Sequence, residues 1–105
     1  MSTEDQFEYQ QLDELLHARI RTAIIAILNT VDQAEFGYLK KQTGATDGNL
    51  STHLRKLEEA EYIGMEKKFV GRKPVTRYWL TEMGKKAFRQ YIARLEEMLG
   101  AGQNE

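Results

Sequence analysis

Residues 43–62 read TGATDGNLSTHLRKLEEAEY, and the spacing of their leucines predicts the helix against which the other elements pack. Read as a helix over residues 47–61, this stretch places Leu50, Leu54 and Leu57 at positions i, i+4 and i+7. Side chains at that spacing lie on one side of a helix, so they form a narrow apolar stripe. The stripe predicts that one side of the helix is buried and that the other is presented to solvent or to a partner.

A turn precedes this helix. Gly44 is the turn residue, and Thr46 and Asp47 are of the types that favour the N-terminal cap of a helix. A shorter helix over residues 36–43 would end at the same turn, so that two helices meet across three or four residues. This arrangement is a helix-turn-helix, and in DNA-binding proteins its second helix enters the major groove.

The side of the second helix opposite the leucines is polar and basic. Hydroxyl and amide groups near its start fit base edges and phosphates, and the arginine and lysine further along supply positive charge. The residues of this arc are Gly48, Thr52, Arg55 and Lys56, with Asn49 and Ser51 on its flanks. An ordinary amphipathic helix with a solvated face shows the same pattern, so the arc alone leaves both interpretations open.

The composition indicates one folded domain over residues 1–105, with 41% hydrophobic and 30% charged residues. The absence of cysteine excludes disulfides, thiolate metal sites and cysteine nucleophiles, and it agrees with a reducing compartment. The longest apolar run, residues 23–28, is far too short to span a membrane, and the polar, acidic N-terminus does not resemble a secretory signal. We therefore expect a cytoplasmic protein that binds no membrane.

The net charge of −1 conceals an uneven distribution. Residues 1–18 hold five acidic residues and no lysine or arginine, whereas residues 67–78 hold five basic residues and no acid. A domain with a basic edge and an acidic rear can orient itself on a polyanion without binding it indiscriminately. Lysines also protect exposed strands from edge-to-edge aggregation, but five basic residues exceed that need and favour contact with DNA.

Hydrophobic periodicity and turn residues predict the remaining elements. In chain order we predict a helix over residues 11–29, the two helices described above, strands over residues 63–69 and 75–80, and a helix over residues 82–99 capped by Thr81. The strands form a hairpin whose predicted tip is Gly71, Arg72, Lys73 and Pro74, and residues 1–10 and 100–105 are expected to be frayed. The fold class is therefore mainly α with a small β-hairpin.

A family resemblance is carried by four stretches, which are ARIRTAIIAIL, FGYLKKQTGATDGNLSTHLRKLEEAEYI, KKFVGRKPVTRYWLT and GKKAF. Over residues 15–99 the chain resembles the short winged-helix transcriptional regulators related to the MarR and ArsR families. The resemblance implies that the third helix lies in the major groove, that the hairpin (the wing) contacts the DNA backbone or minor groove, and that the terminal helices form a homodimer. The DNA-binding residues that it implies are Thr46, Asn49, Ser51, Thr52, Arg55 and Lys56 in the helix, and Lys68, Arg72, Lys73 and Arg77 in the wing.

The first and last predicted helices have more apolar surface than one small core can bury, which also favours a homodimer. The residues expected in its interface are Leu12, Leu15, Ile25, Tyr91, Leu95, Met98 and Leu99. A two-fold dimer predicts an inverted-repeat operator in double-stranded DNA, which a repressor would occupy. A dimer cavity near these helices could bind a small-molecule effector, but no convergent polar groups mark one.

Two other functions compete with sequence-specific DNA binding. A winged helix can serve as a protein-interaction module, although an acidic or apolar wing would favour that function and this wing is basic. An enzyme needs a catalytic constellation that the chain lacks, since its two histidines lie in separate predicted helices and no glycine-rich phosphate loop is present. Metal-sensing relatives use cysteines, or Asp and His along the last helix. Because this chain has no cysteine and no histidine after His53, we expect no metal and no other cofactor.

Overall fold

The computed structural model describes residues 18–101, in which four helices pack with a three-stranded antiparallel sheet. In chain order the elements are α1 (Arg19–Leu28), β1 (Ala34–Glu35), α2 (Phe36–Thr43), α3 (Asp47–Glu59), β2 (Ile63–Val70), β3 (Lys73–Leu80) and α4 (Glu82–Ala101). The predicted fold class, mainly α with a β-hairpin, is confirmed. No helix in the described part of the chain is long and apolar enough to cross a membrane.

The turn between α2 and α3 is closed by Gly44, whose φ of 72° lies in the left-handed region. Glycine adopts this conformation readily because it has no Cβ, and its N–H donates to the carbonyl of Lys40 at 2.9 Å. Thr46 then caps α3, because its hydroxyl oxygen accepts a hydrogen bond from the N–H of Asn49 at 3.1 Å. The predicted helix-turn-helix, the bounds of α2 and the cap of α3 are confirmed.

The end of α3 differs from the prediction, since the helix stops at Glu59 and Glu61 takes a left-handed φ of 65°. A left-handed residue cannot continue a right-handed helix. The hydroxyl of Thr81 donates to the carbonyl of Glu61 at 2.6 Å and lies 3.0 Å from the carbonyl oxygen of Tyr62. The same hydroxyl accepts from the N–H of Gly84 at 3.0 Å, so Thr81 caps α4 as predicted. One threonine therefore joins the turn that follows α3 to the beginning of α4.

Strands β2 and β3 form the predicted hairpin, in a register that pairs every residue of β2 with one of β3. The turn is only two residues long, at 71–72, with Gly71 at a φ of 65°. The prediction of a four-residue tip is wrong, because Lys73 and Pro74 pair with β2 as the first residues of β3. Strand β1 was not predicted, and it pairs with the other edge of β3 to give the order β1-β3-β2.

The core of the described chain lies between the four helices and the base of the hairpin. Its fully buried side chains are Ile24, Ile25, Leu39, Leu50, Leu54 and Leu57. The leucine stripe of α3 is thus confirmed as the buried side of that helix. Ile25, which was predicted for a dimer interface, lies in this core instead. Helix α1 contacts α2, α3, β3 and α4, so its own chain buries it over a wide arc and Ile25 needs no second subunit.

The two terminal helices have different bounds from those predicted. Helix α1 begins at Arg19, because Ala18 has an extended backbone with a ψ of 131°. The prediction of one continuous helix over residues 11–29 is therefore wrong, and its part over residues 11–17 lies outside the described residues. Helix α4 continues to Ala101, two residues beyond its predicted end.

Candidate nucleic-acid interface

The exposed arc of α3 carries all the residues that were predicted to contact DNA from this helix. The exposed residues are Thr46 at the cap and then Asn49, Ser51, Thr52, Arg55 and Lys56 along the helix. On the opposite side Leu50, Leu54 and Leu57 are buried in the core, which fixes the rotation of α3 about its axis. The arc therefore presents hydroxyl, amide and cationic groups in a defined orientation.

The cationic groups of this arc form no ion pair with the described part of the protein. Near its start, the carboxylate of Asp47 pairs with the ammonium of Lys40 in α2 at 2.9 Å, so this acid adds no net negative charge there. The N-terminus of the helix itself contributes a partial positive charge. Arg55 and Lys56 follow about two turns later, and among the described residues neither takes part in an ion pair. The arc is thus suited to a negatively charged partner.

His53 lies between the arc and the buried stripe. Its Nδ1 accepts a hydrogen bond from Nη1 of Arg21 in α1 at 3.2 Å, and because a guanidinium only donates, the neutral ring carries its proton on Nε2. Burial lowers the pKa of His53 below its ordinary value of 6.5, and the positive charges of Arg21 and Lys56 lower it further. At neutral pH the ring is therefore uncharged and is held against α1.

The basic residues of the hairpin fall into two groups. Lys68, Arg72 and Lys73 are exposed at or near the turn, and no ion pair among the described residues involves them. The side chain of Arg77 is only 30% exposed, and its Nη2 lies 4.0 Å from the carboxylate of Glu35 in β1. The structure therefore groups three of the four predicted residues at the end of the hairpin and places Arg77 nearer its base.

Nothing in the described chain forms a metal centre, because no cluster of three or more histidine and carboxylate groups there could hold an ion. A cleft of about 360 Å³ lies where α1 begins beside the turn between α2 and α3. Thr46 and Asn49 contribute to its lining, so the cleft adjoins the start of the α3 arc.

The sequence profile of the winged helix DNA-binding domain matches residues 20–99 of this chain, from the start of α1 almost to the end of α4. The chain belongs to this family. In this winged-helix domain α2 and α3 form the helix-turn-helix, and the β2–β3 hairpin is the wing.

Known proteins resemble the winged-helix domain over most of its length. An uncharacterised protein of Methanocaldococcus jannaschii is 33% identical over 85 residues, which are 81% of this chain and 92% of that protein. A transcriptional regulator homologue from Pyrococcus horikoshii OT3 has a TM-score of 0.82 at 23% identity, over 94% of this chain and 97% of that one. BpsR of Bordetella bronchiseptica, whose DNA binding is regulated by 6-hydroxynicotinic acid, has a TM-score of 0.69 at 11% identity, over 93% of this chain and 76% of that one. At these identities the two structures show a shared fold.

The tip of the wing carries two apolar side chains that the sequence analysis did not assign to the interface. Phe69 is 72% exposed and Val70 is 54% exposed. Strand alternation predicts that Phe69 lies on the same side of β2 as the core residue Ile63, but alternation does not show where along a strand the core ends. The length of the hairpin is the sequence signal that could have predicted this exposure, since only the base of a long two-stranded ribbon reaches the core of a small domain.

Four of the residues that were predicted for the dimer interface are not found on an exposed surface of the described domain. Leu12 and Leu15 are outside the described residues. Ile25 and Tyr91 are buried in the core of the protomer. The predicted excess of apolar surface is therefore smaller than the sequence indicated.

One flank of α4, beside the stripe that faces the core, remains apolar toward the C-terminal end of the helix. Leu95 and Met98 are partly buried against the core, whereas Leu99 is 67% exposed. Ile92, which was not in the predicted interface set, is also exposed. Ile92, Leu95 and Leu99 have the spacing i, i+3 and i+7 and so share one side of the helix.

Proposed function

We propose that this protein is a transcriptional regulator that binds double-stranded DNA sequence-specifically, with α3 in the major groove. The observation that carries the proposal is the exposed arc of α3, which is polar and basic over a fully buried leucine stripe. Membership of a DNA-binding domain family supports the same reading. An α-helix fits the major groove, where each base pair presents a distinct pattern of donors and acceptors.

Within the arc we assign roles by side-chain chemistry. Asn49, Ser51 and Thr52 have the short hydrogen-bonding groups that read base edges, and an asparagine amide can bond adenine in a bidentate manner. Arg55 and Lys56 supply charge to phosphates or donate to guanine. The hydroxyl oxygen of Thr46 is used by the helix cap, which leaves its proton to donate to a phosphate.

The wing supplies sequence-independent affinity in this proposal. Lys68, Arg72 and Lys73 are exposed and unpaired within the described chain, so each can replace a counterion on a phosphate. Arg77 has a different role, because the carboxylate of Glu35 lies close to its guanidinium at the base of the wing. We assign it mainly to holding β1 against β3.

We further propose that the protein is a homodimer that represses transcription by occupying an inverted-repeat operator. The apolar flank of α4, where Ile92 and Leu99 are exposed and Leu95 is partly buried, supports this proposal, together with the predicted contribution of Leu12 and Leu15. A two-fold axis through this surface would present two recognition helices to one side of a duplex. The half-site centres would then be about one helical turn, or about 34–36 Å, apart.

The experiment that tests the function is selection of bound sequences from random duplex DNA, repeated at two salt concentrations. We expect enrichment of an inverted repeat. If each subunit contacts three to five phosphates, log affinity should fall with log salt concentration at a slope of about −5 to −9 per dimer. No enrichment, and no duplex binding at low salt, would overturn the proposal in favour of a winged helix that contacts a protein partner.

A further inference from the structure

The apolar tip of the wing is not explained by neutralisation of phosphates. Phe69 is the most exposed large apolar side chain that the structure describes, and its partner across the hairpin, Pro74, is exposed as well. A large apolar side chain at the end of a projecting hairpin gains no stability from packing where it lies. Exposed apolar groups that are grouped and surrounded by polar residues commonly mark a contact surface.

The geometry of the wing places this pair at the end of a narrow ribbon. Phe69 and Pro74 lie on the side of the hairpin that, nearer the base, carries the buried residue Ile63. Strand β1 pairs only with Tyr78 and Arg77 of β3, so beyond them the hairpin has just two strands. Phe69 therefore lies beyond the core and beyond the third strand of the sheet.

The charges around the tip indicate the chemistry of its partner. Lys67, Lys68, Arg72 and Lys73 are exposed around Phe69, and no acidic residue occurs in residues 67–81. An apolar pocket on a protein would need an acidic rim to match these cations. DNA offers both kinds of surface, because anionic phosphates border grooves that are lined by apolar sugar and base edges.

We propose that Phe69 enters the minor groove beside each half-site as an apolar wedge and partly unstacks one base step. This inference rests on the proposed function, since it requires that the wing lies on DNA. Neighbouring strands lie about 4.8 Å apart before side chains are added, whereas the minor groove of B-DNA is about 6 Å wide. Once its side chains are included, the ribbon is wider than this groove, but one aromatic ring at its end can enter while Lys68 and Arg72 contact the flanking phosphates.

The wedge predicts a preference that no hydrogen bond would create. Pyrimidine–purine steps unstack most easily, and A-tracts are stiff, so the protein should favour a TA step where Phe69 enters. This would add specificity at a position that the recognition helix does not contact.

The first test compares pairs of duplexes that carry the selected inverted repeat and differ only at one flanking base step. That step is TA in one duplex and AA in the other, and one pair is made for each flanking position. We expect the protein to bind the best TA duplex about tenfold more tightly, which corresponds to the lower end of the range for discrimination by one base contact. Phe69→Ala should bind both duplexes equally and keep the salt dependence. Val70→Ala is the matched control, because Val70 is also exposed but lies on the other side of the hairpin, and it should keep the TA preference.

The second test observes the unstacking directly. We would place 2-aminopurine at the preferred flanking step, since its fluorescence rises when it leaves the base stack. The protein and Val70→Ala should increase the fluorescence, and Phe69→Ala should not.

Three results would overturn the wedge. If Phe69→Ala binds duplexes with the affinity and TA preference of the unmodified protein, the wedge is wrong while the proposed function stands. If the unmodified protein binds no duplex, the proposed function fails and the wedge fails with it. If Phe69→Ala loses binding to vesicles of phosphatidylserine and phosphatidylcholine but keeps its DNA affinity and preference, the apolar tip serves a lipid surface instead.

Discussion

Thr46 and Asn49, at the start of α3, differ in whether their side chains contribute to the stability of the helix. The hydroxyl of Thr46 caps the helix, so Thr46→Ala should lower the free energy of unfolding by about 1 kcal/mol whatever it does to DNA binding. Asn49 takes part in that cap only through its backbone N–H. Its amide side chain is therefore free for base contact, and substitutions at Asn49 separate recognition from folding more cleanly than substitutions at Thr46.

We predict that Asn49→Ala and Thr52→Ala change which operator sequences are preferred. Each lost base contact should reduce discrimination at one base position by about 1–3 kcal/mol, with little change in thermal stability because both side chains are exposed. Competition binding against all single-base variants of the operator measures this effect. Equal weakening on every sequence would show that these side chains contact only the DNA backbone.

A second prediction at this scale concerns Arg72, in the two-residue turn of the wing. Arg72→Ala should weaken binding to all sequences alike and make the salt slope shallower by about one per subunit, because one phosphate contact is lost. Its melting temperature should stay close to that of the unmodified protein, since a turn side chain has few packing contacts. Unchanged affinity at moderate salt would mean that the wing tip does not touch DNA.

The lowered pKa of His53 predicts a pH dependence of stability. Folding disfavours the protonated ring, so the unfolded state binds more protons between the depressed pKa and the ordinary value of 6.5. The contribution of the neutral His53 ring to the free energy of unfolding is therefore complete above about pH 6.5, and it is lost as the pH falls through the depressed pKa of the folded state. Denaturant unfolding from pH 7.5 to pH 5.5 should show the loss, and His53→Gln should reduce it. Because His17 is present in both proteins, a pH dependence that His53→Gln leaves intact would contradict this prediction.

At the scale of elements, those with a clear hydrophobic period were predicted well. The leucine stripe and turn residues predicted α2, the start of α3 and the cap of α4, and the polar arc of α3 follows directly from that stripe. Strand β1 is only two residues long, which is too short to show a period. The left-handed Glu61 is held by a contact that is distant in sequence, the hydrogen bond from Thr81. The exposure of Phe69 was missed for a similar reason, since it depends on how far the core reaches along the hairpin.

The junction between the wing and α4 gives a prediction at this scale. A Cβ on Gly84 would overlap the backbone carbonyl of Tyr62, and backbone cannot move aside as a flexible side chain can. Gly84→Ala should therefore destabilise the protein by about 1–3 kcal/mol, as overpacking usually does. Gly37→Ala in α2 is the matched control, because a Cβ there meets nothing within 4 Å, and it should be neutral or stabilising by up to about 1 kcal/mol. Chemical denaturation of both variants checks the prediction, and equal effects would contradict it.

At the scale of the whole molecule, the proposed dimer depends on the apolar flank of α4 that carries Ile92 and Leu99. Leu99→Glu would place a charge in that surface and should give monomers with greatly weakened operator binding, because each monomer keeps only one half-site. Met83→Glu makes the same kind of change at another exposed apolar position of α4, and this variant should remain dimeric. Light scattering at tens of micromolar distinguishes the outcomes. An unmodified protein that is monomeric under these conditions would refute the dimer, even if DNA binding survived.

The hydrogen bonds of Thr81 have a consequence for how such a dimer could be controlled. They tie the turn that follows α3 to the first turn of α4 and so couple the orientations of these two helices. In the proposed dimer, the angle at which the two copies of α4 cross would therefore determine the distance between the recognition helices. A compound that changed this crossing angle could release an operator without touching any DNA-binding residue, because the two helices would no longer match consecutive turns of the duplex.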